Sequence, residues 1–388
     1  MTTGVLLMTY GAPSGDADVG AYLARVRGHP PAPELVLEMR RRYRLIGGSP
    51  LIGITRAQGT ELARVLGRDY RVRVGMRFSE PAIGDEVRAL VSEEGAERIV
   101  AIPMSPQWSD RLMAGYERAV ADASTVPFAL ARSWYRTPSF VVAIAGAVRE
   151  SLARIGDASL AIVLTAHSLP RRVFEAEPAY VEELRETARI VAEAAGLVTW
   201  SFAYQSAGHT AEEWLRPDLV DLFPSLAALG ATDVLVVPIQ FLADHLEVLY
   251  DLDIAAAAQA RVAGLRYHRV PMQNTRADFI EALATIVRAL GDAGPRQVSL
   301  RDEGDPENRE ESGEDGPVHV HEDRGERSNQ QDEDRRGVVL AGDKTRRDEE
   351  RDPKRVGVSG ETREHDRVGR QGDRFTQAAD EKGKRDRG

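Results

Sequence analysis

The sequence predicts an α/β protein of two doubly wound halves, each with a parallel four-stranded sheet, followed by a disordered charged tail. Three observations carry this prediction. Eight short runs of aliphatic and β-branched residues recur over residues 1–294, most of them separated by stretches with helical periodicity. Strands alternating with helices in this way build parallel sheets. The eight runs divide into two sets of four, with a break near Thr137-Pro138 where a helix carries the chain across. From about Gly294 onward the apolar pattern stops. Two such halves face each other across a cleft, and ligands of these folds bind beyond the carboxyl ends of the strands.

In chain order, the first half has expected strands at 4–9 (GVLLMT), 70–77 (YRVRVGMR), 97–103 (ERIVAIP) and 126–133 (VPFALARS). The second half has them at 159–165 (SLAIVLT), 198–204 (VTWSFAY), 232–239 (TDVLVVPI) and 265–270 (LRYHRV). Helical periodicity marks 55–66, 81–94, 138–154, 180–195 and 274–290. The halves are therefore residues 1–137 and 138–271, with a closing helix within 272–293 packing back on the first half. Residues 294–388 form the tail.

Composition narrows the function classes. There is no cysteine among 388 residues, which excludes disulfides, thiolate metal sites and cysteine-bound iron–sulfur clusters. The start, MTTGVLLMTYGAP, lacks the basic region of a signal peptide, and no uncharged apolar run approaches the ~18–20 residues of a membrane span. A soluble cytoplasmic protein is expected. A net charge of −10 argues against a nucleic-acid partner. In the tail, 21 Lys and Arg and 26 Asp and Glu fall within 94 residues, so too little apolar surface is left to offset the entropy of ordering. HVHED (319–323) lies in this solvated run and is assigned no function.

Chemistry-bearing residues gather at the expected strand ends. The first strand runs into Tyr10-Gly11-Ala12-Pro13, and the third into MSPQWSD (104–110). The fifth ends at His167, the sixth in Tyr204-Gln205-Ser206, and the seventh leads into IQFLADHLEVLYDLD (239–253). No glycine-rich phosphate loop opens a helix, so nucleotide binding is not supported. The glycine pair of RLIGGSPL (44–51) follows a helical pattern and is expected to cap that helix. One of only eight histidines, His167, closes a buried strand, where an imidazole needs either hydrogen-bond partners or a task. Asp244 and Glu247 fit a helix capping box, a purely structural role. Glu247 and Asp251, four apart, would also stack on one helix face at the cleft mouth, which suits recruitment of a cation or relay of protons.

Taken together, MTYGAP (8–13), RYRLIGGSPL (42–51), GMRFSEPAI (75–83), SWYRTP (133–138), AHSLP (166–170), YQSAG (204–208), WLRPDL (214–219) and DHLEVLYDLD (244–253) resemble, in order, the blocks of ferrochelatases. The resemblance spans about residues 1–292. It implies two Rossmann-like domains around a porphyrin cleft and a lyase that inserts ferrous iron into a porphyrin. By this resemblance His167 and Glu247 are the catalytic pair and hold the incoming metal, with Asp251 on an outer metal line. Tyr10 resembles the opposite-face tyrosine, a metal ligand through its phenolic oxygen, of the branch, found in many Gram-positive bacteria, that uses coproporphyrin III. No long apolar lip is visible, in keeping with that branch. Arg27, Arg42, Tyr43, Ser49 and Tyr116 match positions near the propionates, Arg42 being the best charge-assisted donor.

The implied product is Fe-coproporphyrin III, coproheme, in haem biosynthesis. Fe²⁺ enters as substrate, no resident cofactor is required, and a downstream coproheme decarboxylase is the implied partner of a monomer. Protoporphyrin IX insertion, cobalt insertion and non-catalytic porphyrin binding are the alternatives. Cobalt insertion would favour a second cleft histidine, for which His209 is the candidate. The chain departs from the family pattern at Ala255, where an acid is usual, leaving Asp251 and Asp253 for the outer line.

Overall fold

The structure, a computed structural model, describes residues 2–156, 158–208 and 212–292. The tail from 294, with HVHED, and His209 lie outside the described residues. The first half contains β1 (Thr3–Thr9), α1 (Val19–Arg27), α2 (Pro33–Leu45), α3 (Leu51–Leu66), β2 (Tyr70–Met76), α4 (Ile83–Ser92), β3 (Arg98–Pro103), α5 (Asp110–Ala123) and β4 (Phe128–Leu130). Then come α6 (Pro138–Ile155), β5 (Leu160–His167), α7 (Arg171–Ala176), α8 (Pro178–Ala195), β6 (Ser201–Gln205), α9 (Leu219–Ala228) and β7 (Asp233–Pro238). A π-helix (Glu247–Ala256) runs into α10 (Ala257–Val262), followed by β8 (Arg266–Arg269) and α11 (Ala277–Asp292).

All eight strands form where the apolar runs predict them, in two parallel sheets ordered β2-β1-β3-β4 and β6-β5-β7-β8. In each sheet the chain's first strand lies inside and its connections leave toward both sides. That is the switch point at which doubly wound sheets open a crevice. β1 and β7 are buried along their whole length, as parallel strands covered on both faces must be. The fourth strand is shorter than 126–133 predicts, because only Phe128–Leu130 pair with β3 at the sheet edge.

Alternation along the strands divides the core. Leu235 and Val237 of β7 pack toward α6 and α8, in a cluster continuous with Val5, Leu6 and Leu7 of β1. Val234 and Val236 face the other way, toward Leu219, Phe223 and Leu252. Helix α11 lies against α3 and α6 and touches β3 and β4. The glycine pair ends α2 as expected. The Gly47 N–H donates to the Arg44 carbonyl and the Gly48 N–H to the Tyr43 carbonyl, with both glycines at positive φ, the pattern of a Schellman cap.

Candidate active site

A cavity of about 490 Å³ opens between the carboxyl ends of the two sheets. β1 delivers Tyr10 to it and β5 delivers His167, so the two switch points supply opposite sides of one site. Of the residues singled out from the sequence, Tyr10, Tyr43, Ser49, Tyr116, His167 and Glu247 line the cavity. Arg27, Arg42 and Asp251 are not part of its wall.

His167 is held from three directions. Its backbone N–H donates to Gln240 Oε1 at 2.8 Å, and Gln240 Nε2 donates to the Tyr180 hydroxyl at 2.7 Å. Its ring Nδ1 faces the Ser168 carbonyl, an acceptor, so Nδ1 carries the proton and Nε2 is turned to the cavity. Phe241 stands edge-on to the ring. Nε2 then lies 3.5 Å from Glu247 Oε2. The two side chains retain 25% and 37% of their exposure, and this surface is the cavity wall itself.

The expected capping box is not formed. Glu247 opens a π-helix whose N-cap makes no side-chain hydrogen bond. Asp244 instead accepts from Asn274 Nδ2 at 2.8 Å and lies 3.5 Å from the Arg269 guanidinium, while its backbone N–H donates to Asn274 Oδ1. Asn274 thus pins the loop that presents the next residues. The freed Glu247 carboxylate points to imidazoles rather than to backbone.

The second imidazole is His245, where the sequence offers His209 instead. Its Nδ1 is 2.9 Å from the Ala243 carbonyl, and its Nε2 is 3.7 Å from Glu247 Oε2. The cleft therefore has its second histidine at 245. The signal was in plain view within DHLE, but that run also reads as a cap.

Electrostatics follow from this geometry. Burial opposes charge on His167, yet Glu247 outweighs it and raises the imidazole pKa to about 9. Burial likewise opposes the Glu247 carboxylate, but His167 and His245 hold it well below the usual carboxylate range. The resting pair is an imidazolium and a carboxylate, not the neutral imidazole that an unperturbed value of ~6.5 would give. Burial and the Glu247 charge push Asp251 up, with Arg42 and Ser206 opposing. Burial also raises Tyr10, against the pull of Arg77. The Arg77 guanidinium stacks 5.9 Å from the Tyr10 ring centre and 5.4 Å from that of Tyr116, a bracing cation the sequence did not suggest.

Arg42 has partners within the protein. Its Nε donates to Glu38 at 2.8 Å, its Nη1 lies 3.4 Å from Asp251 Oδ1, and its guanidinium sits 4.6 Å over the Tyr250 ring. A propionate would have to share or displace these contacts. Arg27, in the last turn of α1, has a buried Nε without a hydrogen-bond partner among the described residues. Asp253 is bound by Arg269 at 2.6 Å, so with Ala255 standing eight residues after Glu247 the outer acidic line is reduced to Asp251. Among the described residues, no three His, Asp or Glu side chains form a metal site by themselves. No helix among them is long and apolar enough to cross a membrane.

The cavity wall thus combines aromatic side chains, an imidazole–carboxylate pair and the Tyr10 phenol. Comparison with known proteins agrees with this chemistry. The protein-family model described as Ferrochelatase matches residues 2–290. A ferrochelatase of Herpetosiphon aurantiacus is 36% identical over 300 residues, covering 74% of this chain and 98% of the relative. A coproporphyrin III ferrochelatase of Anoxybacillus flavithermus is 36% identical over 299 residues, covering 73% and 95%. A ferrochelatase of Deinococcus radiodurans is also 36% identical over 299 residues, covering 73% and 94%.

Proposed function

The chain belongs to the ferrochelatase family, and from that premise we propose that it inserts ferrous iron into coproporphyrin III, with His167 and Glu247 as the catalytic pair. The observation that carries the assignment of the pair is the 3.5 Å approach of His167 Nε2 to Glu247 Oε2 on the cavity wall. A coproporphyrin substrate is supported by the name of the Anoxybacillus relative and by Tyr10 at the opposite switch point.

Metallation must strip two pyrrole protons that water removes poorly. Imidazole and carboxylate are suited to this, because one accepts a proton while the other steadies the resulting charge. In the resting protein His167 is protonated by virtue of Glu247. A ferrous ion drawn to the carboxylate takes over the role of that proton, so His167 loses its reason to stay charged. That proton leaves to water, and the neutral Nε2 then takes the two pyrrole protons in turn, passing the first to solvent before it accepts the second. Nitrogen and oxygen ligands suit ferrous iron, and His245 lies close enough to Glu247 to share the charge. Tyr10 approaches the metal from the other face, its phenol steadied by Arg77.

Tyr43, Ser49 and Tyr116 are proposed to meet the propionates at the wall, with Arg27 and Arg42 at the rim. No resident cofactor enters the scheme. The proposed setting is a cytoplasmic monomer that hands coproheme to a decarboxylase.

An anaerobic assay tests this directly. Fe²⁺ or Co²⁺ is offered with coproporphyrin III or protoporphyrin IX, and metalloporphyrin absorbance is followed. Iron insertion into coproporphyrin III is expected to be fastest. Preference for protoporphyrin IX would overturn the substrate assignment, and preference for Co²⁺, which a second cleft histidine could favour, would overturn the metal.

A further inference from the structure

A second cavity of about 430 Å³ lies along the edge strand β8, between the last turns of α6 and the amino half of β7. It shares no lining residue with the carboxyl-end cleft. Its polar wall is formed by Ser151, Arg154, Asp233, Arg266, His268 and Arg269. Asp233, 1% exposed, organises it. Its carboxylate accepts from Thr232 Oγ1 at 2.7 Å, Arg266 Nη2 at 2.8 Å and His268 Nε2 at 2.8 Å. The strand register sets Arg266 directly beside it.

With those three donors engaged, Asp233 offers a ligand little as an acceptor, whereas donors remain. Among the described residues, the hydrogen bonding of Arg154 is limited to Ser151 Oγ at 3.0 Å. The neighbouring Glu150 is held by Arg276 at 2.8 and 2.9 Å. Arg266 uses one nitrogen of its fork, and His268 keeps Nδ1 without a partner among the described residues. Arg269 is neutralised by Asp253. Asp157, the next acid along the chain from Arg154, lies outside the described residues.

A donor-rich pocket with its own carboxylate neutralised selects an anion. The geometry points to a second ligand site, for a phosphoryl group carried as free phosphate or as a small phosphomonoester. Phosphate suits it better than sulfate. Near neutral pH a phosphate can keep one protonated oxygen, which sulfate lacks; with Nε2 of His268 turned to Asp233, Nδ1 of that ring faces such a hydroxyl while the other oxygens accept from the two guanidinium groups.

The test is calorimetric titration of the full chain, at constant ionic strength, with inorganic phosphate, glycerol phosphate and sulfate. Saturable phosphoryl binding is expected, and the tighter of the two phosphoryl probes identifies the source. Arg154→Gln, which disturbs only one hydroxyl contact, should weaken it by about tenfold or more while leaving porphyrin binding and iron insertion unchanged. Absence of saturable binding, equal affinity for sulfate, or unchanged affinity in the Arg154→Gln protein would each overturn the assignment.

Discussion

At the scale of the residue, the central device is two imidazoles converging on one carboxylate. Backbone carbonyls fix the proton on Nδ1 of both rings, so both Nε2 atoms face Glu247. His167 was legible because a histidine closing a buried strand is conspicuous. His245 was not, because the residues flanking it satisfied a capping pattern that the backbone does not use. A titration separates the two readings of Glu247. If the carboxylate raises His167 to about 9, Glu247→Gln should return the imidazole to near or below its ordinary ~6.5, as followed by NMR. The raised pKa also sets a sign for stability. His167 contributes fully below the unfolded value of ~6.5 and loses its contribution as pH rises through about 9. Wild-type thermal stability should therefore decline across that window relative to the Glu247→Gln protein, and parallel profiles would remove Glu247 as the cause. Tyr10→Phe should change the absorption spectrum of bound product while the far-ultraviolet circular dichroism stays the same. An unchanged product spectrum would leave Tyr10 as a packing residue only.

At the scale of the element, the parallel strands were readable because both their faces are buried, which writes them as continuous apolar runs. Helix α1 was not, and α2 was readable only at its carboxyl end, since α2 fully buries only Tyr43 and carries several arginines and glutamates among its half-buried apolar residues. The π-helix was invisible for a different reason: Glu247 and Asp251, four apart, fit one face of an α-helix as well. Nothing in that spacing distinguishes bonds to the fourth residue back from bonds to the fifth. The burial of β1 carries a stability consequence. Leu7 is fully buried within it, so Leu7→Ala should cost about 2–5 kcal/mol in urea unfolding. A loss below ~1 kcal/mol would mean that the strand's surroundings collapse onto the gap.

At the scale of the whole molecule, two sheets of the same topology place their switch points on opposite sides of one cavity, so neither half carries the site alone. Tyr10 comes from one and the His167–Glu247 pair from the other. The family match ends at residue 290, and the charged composition begins at about 294. Truncation after residue 294 should accordingly leave thermal stability and iron insertion nearly unchanged, and a large loss of either would give the tail a role in the enzyme. The central claim is that porphyrin binding and proton removal are separate tasks, the first performed by the cavity walls and the second by the pair. Anaerobic iron insertion by His167→Ala, measured together with coproporphyrin III affinity by fluorescence quenching, tests it most directly. The account predicts affinity within a small factor of wild type and insertion slowed by about 10²–10⁴-fold, the usual contribution of a positioned general base. Insertion at the wild-type rate by a protein that still binds porphyrin would contradict it.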